Sequence, residues 1–240
     1  VEVGEVAPLT YAVVTTGPMV ALMAPVLGLL ALPVALFPLA ITYVAVDRAT
    51  RNREIYRQTI ATLSSLTEAG GYTPVGHAER VATASVRMGR VLGMSARELR
   101  DVEYAALLHD LGQISLHEPI PGGATVLAAP SDQREISAEG ASIIRSASGL
   151  EDVAAIVEAT PTAYRLVREL GEDVALASRI IKVANAYDDL TGGRTAAAEV
   201  ESALERIQLG LGYEYDPEVV TALAVVTSAT VPAGVGGRAP

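Results

Sequence analysis

From Val6 to Val46 the chain carries no charged side chain, a run of 41 residues. Coiled as one helix, the run would be about 61 Å long at ~1.5 Å per residue, roughly twice the hydrocarbon core of a bilayer. The stretch from Val20 to Val46 is the best membrane-spanning candidate within it. Pro18, Pro25, Pro33 and Pro38 punctuate the run, and a membrane helix tolerates prolines where neighbouring helices satisfy the freed backbone groups. That points to partner helices upstream, and a chain opening on Val rather than Met reads as a fragment of a longer protein. A cleavable signal peptide fits poorly, because no basic residue precedes the run. A buried core helix is the bland alternative, disfavoured at this length.

Charge on either side of the run sets an orientation. Glu2 and Glu5 precede it; Arg48, Arg51, Arg53 and Arg57 follow. Arginines crowded behind an apolar span mark the cytoplasmic side, so the expectation is one crossing of the inner (cytoplasmic) membrane with the rest of the chain in the cytoplasm. Beyond Val46 a helix is expected to leave the membrane, with Ile55, Ile60, Leu63 and Leu66 at helical spacing and Gly70-Gly71 ending it. That stripe could pair with its copy in a homodimer or lie on the following domain; the pattern does not separate the two.

The remainder is all-α by pattern. Helices are expected from Arg80 to Leu92, from an N-cap at Ser95 towards His109, from Ser131-Asp132, from Val174 to Ala186 and from Ala196 to Leu209. Pro217 opens a last helix ending near Val226. Aromatic residues make up only 4%, with one Phe and no Trp, so Ala, Val, Leu and Ile must build the core. The absence of Cys excludes disulfides and thiol catalysis. A net charge of −10 argues against DNA or RNA as a partner. The expected organisation is a membrane segment (1–46), a juxtamembrane linker helix (47–71), a helical domain (72–228) and a flexible tail (229–240).

Chemistry is concentrated in few residues. Three histidines exist: His77, His109 and His117. His109 and Asp110 are adjacent, and adjacent helical side chains project about 100° apart. They can grip one ion together only from a helix end or with help from other helices. An imidazole beside a carboxylate suits a hard or borderline cation, although such a pair alone is a weak signal.

The wider wording carries more. GHAERVA (Gly76–Ala82), AALLHDLG (Ala105–Gly112) and RIIKVANAYDDLTGGR (Arg179–Arg194) occur in that order. Together they resemble the HD superfamily of metal-dependent phosphohydrolases, most closely its HD-GYP branch, whose active members hydrolyse cyclic di-GMP. The resemblance covers Tyr72 to Ser228 and implies an HD-domain helical bundle. It also implies a divalent metal (Mn, Fe, Mg or Zn) held by His77, His109, Asp110 and Asn185, with His109 and Asp110 as the catalytic pair.

Departures from the family pattern cluster at the metal site. Asn185 stands where the family has Asp, and a neutral amide holds a divalent ion less well than a carboxylate. Ile136 stands where a His usually precedes a Gly (here Gly140) by four residues. Between Val157 and Leu170 the text VEATPTAYRLVREL lacks the His-His-Glu and Gly-Tyr-Pro signatures, although Glu158 could lie near the lost pair. Gln113 replaces a lysine, and Arg194 matches a family arginine; both are expected at substrate phosphate. Lys182 could snorkel to the surface, and Arg80 reads as a structural ion-pair partner. Asp188 and Asp189, one turn after Asn185, could compensate for the lost carboxylate, but Asp188 reads better as a non-ligand. The metal is therefore expected to be weakly bound or absent.

Three functions compete. One is a degenerate HD-GYP-like signalling module binding cyclic di-GMP or another nucleotide with little or no hydrolysis. The others are a working phosphohydrolase with a reduced metal site and a helical dimerisation scaffold.

Overall fold

The computed structural model describes residues 3–147, 149–171 and 173–228, and the tail expected over 229–240 lies outside them. The chain divides into two compact units, residues 1–59 and 60–240. The first begins with α1 (Val3–Leu27), joined by a 3-10 turn at Gly28–Leu30 to α2 (Ala31–Ala69). Positive φ at Gly28 (55°) permits the join. Pro33 lies in the first turn of α2, where backbone N–H groups lack intrahelical partners in any case. Thr16 and Thr42 donate their hydroxyls to carbonyls four residues back, so these polar groups are satisfied inside the helix. Leu22, Val26 and Phe37 face outward. α2 runs unbroken through Asp47, where a change from membrane segment to linker was expected.

The last turns of α2 belong to the second unit. Ile60 is buried in its core and Leu63 rests against it, whereas Ile55 and Leu66 stay exposed. Only Ile60 and Leu63 of the stripe therefore pack on the domain that follows. Eight helices follow among the described residues: α3 (His77–Val91), α4 (Ala96–Leu108), α5 (Pro130–Arg145), α6 (Glu151–Ala159), α7 (Tyr164–Leu170), α8 (Leu176–Thr191), α9 (Ala197–Leu209) and α10 (Pro217–Ser228). No strand occurs among the described residues, only one isolated bridge between Leu211 and Tyr215. The all-α expectation holds.

Local chemistry explains most boundaries. Ser95 caps α4, accepting from the Glu98 backbone N–H while the Glu98 carboxylate accepts from the Ser95 N–H, a reciprocal box. Pro130 and Pro217 open their helices at the position where a missing N–H costs nothing. α3 starts earlier than the expected Arg80, because Gly76 turns the chain at φ 75° and lets His77 begin the helix. The short α6 and α7 were not expected from the pattern; seven residues in α7 are too few to show a period.

The core is aliphatic, as the composition requires. α8 runs through it, burying Ile180, Ile181, Val183 and Ala184, and packs against α3, α4 and α9. After α4 a 3-10 turn (Leu111–Ser115) packs on α5. Gly112 makes this possible: a Cβ there would lie 1.9 Å from the Ile136 carbonyl oxygen. Gly112→Ala must push α5 away from the turn carrying the HD pair. A loss of about 1–3 kcal/mol in unfolding free energy is expected, measurable by denaturant titration; an unchanged midpoint would show that the backbones part freely.

Candidate metal centre

Three elements converge at one end of the second unit. His77 is the first residue of α3, and His109 is the C-cap of α4 with Asp110 immediately after it. The adjacent pair therefore sits at a helix end, where the chain leaves the helical screw. α8 contributes Asn185, Asp188 and Asp189. His77, His109 and Asp110 are all buried, with candidate ligand atoms within 4.8 Å of one another, and they are the one such group of three or more among the described residues.

Hydrogen bonds fix how the rings face. His77 Nδ1 lies 2.8 Å from Asp188 Oδ2, and a carboxylate accepts, so Nδ1 donates. His109 Nδ1 donates to the Ala106 carbonyl at 2.7 Å. Both Nε2 atoms are thereby turned inward, 3.3 Å apart. Asp110 Oδ2 sits 3.2 and 3.3 Å from them and has no hydrogen-bond partner although buried. Asn185 donates its amide to Thr125 Oγ1 at 2.8 Å, which aims its Oδ1 at His109 Nε2, 3.2 Å away. Three electron-pair donors thus face one another with Asn185 Oδ1 beside one of them, a repulsive arrangement unless a cation or proton lies among them. The residues fit a divalent ion: donor spacings of 3.2–3.3 Å match the roughly 3.0–3.4 Å edges of coordination polyhedra with bonds of about 2.0–2.1 Å.

Without metal a proton takes that role. Burial works against charge on His77, but the carboxylates of Asp110 and Asp188 outweigh it and raise its pKa to about 10. Burial also opposes charge on Asp110, yet the two histidines hold its pKa below the ordinary value. Asp189 moves the other way: burial, reinforced by the Asp110 charge, pushes it up to about 7, while the Val126 N–H donates to it.

Asp188 is not aimed at the cluster. It accepts from His77 through Oδ2 and takes a two-pronged ion pair from Arg80, Nε to Oδ1 at 2.7 Å and Nη2 to Oδ2 at 2.9 Å. Arg80 is accordingly a structural partner, and Asp188 orients the His77 ring. Asp188→Asn keeps the size but weakens the hold on the Nδ1 proton. A 10- to 100-fold loss of metal affinity is expected, the range for residues that orient a ligand; unchanged affinity in a metal titration would count against that role.

Beside the cluster lies a cavity of about 620 Å³, whose lining includes His109, Asp110 and Asn185 together with Arg165, Lys182 and Tyr213. Of the positions expected at substrate phosphate, neither lines it. Gln113 is fully buried beside Asp110, its amide without a hydrogen-bond partner. Arg194 is largely exposed and bonds the Thr191 carbonyl, in the wall of a different, smaller cavity. Ile136, where a histidine was missed, presents an apolar side chain to the large cavity. Glu158 pairs with Arg145 at the surface, away from the cluster. Lys182 does not snorkel: it is mostly buried, bonded to the Pro161 carbonyl at 2.7 Å and to Glu214 at 2.5 Å. Sequence reasoning missed Thr125, Arg165 and Tyr213. The last two are far apart in the chain, and no local pattern joins them.

Comparison with known proteins agrees with this geometry. The chain is 23% identical over 203 residues to 3'3'-cGAMP-specific phosphodiesterase 2 of Vibrio cholerae serotype O1, covering 80% of this chain and 39% of that protein. No solved structure matches. The family model described as "HD domain" matches residues 63–219, which include every residue of the His77–His109–Asp110 cluster. The chain belongs to the HD-domain family.

Proposed function

We propose that the chain is a membrane-tethered, degenerate HD-GYP-like signalling module. It holds at most one divalent cation (Mn, Fe, Mg or Zn), and that weakly, at His77, His109, Asp110 and Asn185, binds a cyclic dinucleotide such as cyclic di-GMP, and hydrolyses it slowly or not at all. The observation that carries this reading is the single cluster of converging donors, with Ile136 and not a histidine on the neighbouring cavity wall. A bound cation would lower the pKa of a coordinated water and polarise a phosphoryl oxygen. The chain's part is to present both Nε2 atoms and to keep Asp110 charged. A second ion would need further imidazoles or carboxylates; Ile136 and the outward-turned Glu158 bring none to the cluster, which leaves Asp189, already accepting from the Val126 N–H, as the nearby carboxylate.

The test is Asn185→Asp. Thr125 Oγ1 can reverse its hydrogen bond and donate to the new carboxylate, so the position accepts it. Roughly tenfold tighter Mn binding is expected in a calorimetric titration. Equal affinity in both proteins would mean that position 185 does not face the ion.

Tethering rests on the helical stretch Thr10–Arg48, 39 residues long, with 11% of its most apolar window buried within the chain. Such exposure suits lipid better than a soluble core. The arginines behind it support a cytoplasmic HD domain, and exposed Ile55 and Leu66 leave a face for pairing in a homodimer. A phosphatase reporter active only outside the cytoplasm should be silent when fused after Pro240; activity would overturn the orientation.

A further inference from the structure

The cavity lining carries polar groups other than the candidate metal ligands. Backbone bonds tie the start of α7 to the turn before α10: Tyr164 N–H donates to Glu214 O at 3.2 Å and Arg165 N–H to Tyr213 O at 2.9 Å. This docking lays the Arg165 guanidinium over the Tyr213 ring, 4.3 Å from its centroid. A guanidinium held by its face keeps its N–H edge available, and that edge matches two oxygens of a phosphate. Arg165 pairs with no carboxylate among the described residues; Glu214, the nearby acid, is taken by Lys182. Arg134 also lines the cavity with no carboxylate partner among them. The cavity is partly open, and its lining sets Arg134, Arg165 and Lys182 against the carboxylates of Asp110 and Glu214 in a chain of net charge −10. Its volume, about 620 Å³, falls within the roughly 300–1,000 Å³ of sites for whole small ligands and exceeds what one phosphate needs.

We infer that Arg165, stacked on Tyr213, is the anchor for a second phosphate of the ligand, so that the cavity selects a doubly anionic, two-phosphate nucleotide over a one-phosphate one. One phosphodiester lies by the His109–Asp110 pair and the other at Arg165, on the segment where the Gly-Tyr-Pro signature is missing. The inference rests on the proposal that the site takes a cyclic dinucleotide and adds the residue that recognises its far end.

Affinities of cyclic di-GMP (two phosphates) and 3',5'-cyclic GMP (one phosphate) are to be measured by calorimetry on the full chain in mild detergent with Mn. The proteins compared are wild type, Arg165→Met, Tyr213→Phe and Tyr213→Leu. Arg165→Met should weaken cyclic di-GMP roughly ten- to hundredfold, the range for a charge-assisted hydrogen-bonded contact, and leave cyclic GMP unchanged. Tyr213→Phe keeps the ring and should bind like wild type. Tyr213→Leu removes it and should lose part of the same preference. Wild-type affinity for cyclic di-GMP in Arg165→Met, or equal losses for both nucleotides, would overturn the inference while leaving the cyclic-dinucleotide reading in place. A wild-type protein that binds neither nucleotide would overturn both.

Discussion

Metal affinity is expected to rise about tenfold per pH unit between pH 6 and 8. The reason is the proton trapped among the donors. His77, raised to about 10, is protonated across this range in the metal-free protein, and a ligand nitrogen must give up its proton to bind a cation. One proton released per ion gives a slope of one in the logarithm of affinity. The fold without metal should respond in the opposite sense. A group whose folded pKa lies above its unfolded value adds stability below the unfolded pKa and loses it as pH rises through the folded one. For His77 that loss runs from about 6.5 to about 10. Asp189, raised to about 7, loses its share earlier, between its ordinary value near 4 and 7. Melting temperatures with chelator should therefore fall from pH 6.5 to 9.5, while the increment given by Mn widens. Affinity flat between pH 6 and 8 would mean that His77 is not the proton-bearing ligand.

The second large effect concerns turnover. Hydrolysis of cyclic di-GMP is expected to be roughly a thousandfold or more below that of family members with the full ligand set. Phosphodiester cleavage needs an activated water and cations that offset charge developing on phosphate, and losing one such stabiliser alone costs about 10²–10³. On the proposed reading several are absent together. Asn185 removes a carboxylate, Ile136 occupies a histidine position, Gln113 is sealed in the interior, and Arg194 points to solvent at another cavity. Roles that act as a unit are not restored by one surviving arginine. Robust turnover abolished by His109→Ala would contradict this and return the chain to the working enzymes. Turnover indifferent to that substitution would come from a contaminant and leave the expectation standing.

What could be read in the sequence was whatever has a local cause. Ser95 and Pro217 mark helix starts because capping and the missing proline N–H act within one turn. His77, His109 and Asp110 were legible through the wording around them, and the structure brings all three together. Asn185 was legible as a departure, but its aim was not, because Thr125, which orients it, belongs to an irregular segment with no period. Asp188 could be placed on the Asn185 face of α8 by its i+3 spacing, yet only the fold shows that Arg80 holds it against His77 and away from the donors. Gln113 and Arg194 were expected at phosphate from their order in the motifs. Motif order does not say which way a side chain leaves a turn, and both leave away from the large cavity. Arg165 and Tyr213 meet through backbone pairing of two loops, which no periodicity encodes.

One ion per chain is the decisive property of the His77–His109–Asp110 cluster. Protein purified without chelator and dialysed to equilibrium against saturating Mn at pH 8 should hold one equivalent above the dialysate by elemental analysis. His109→Ala should give none, because it removes the imidazole common to the 3.2–3.3 Å contacts with His77, Asp110 and Asn185. Two equivalents in the wild-type protein, or one that survives His109→Ala, would contradict it.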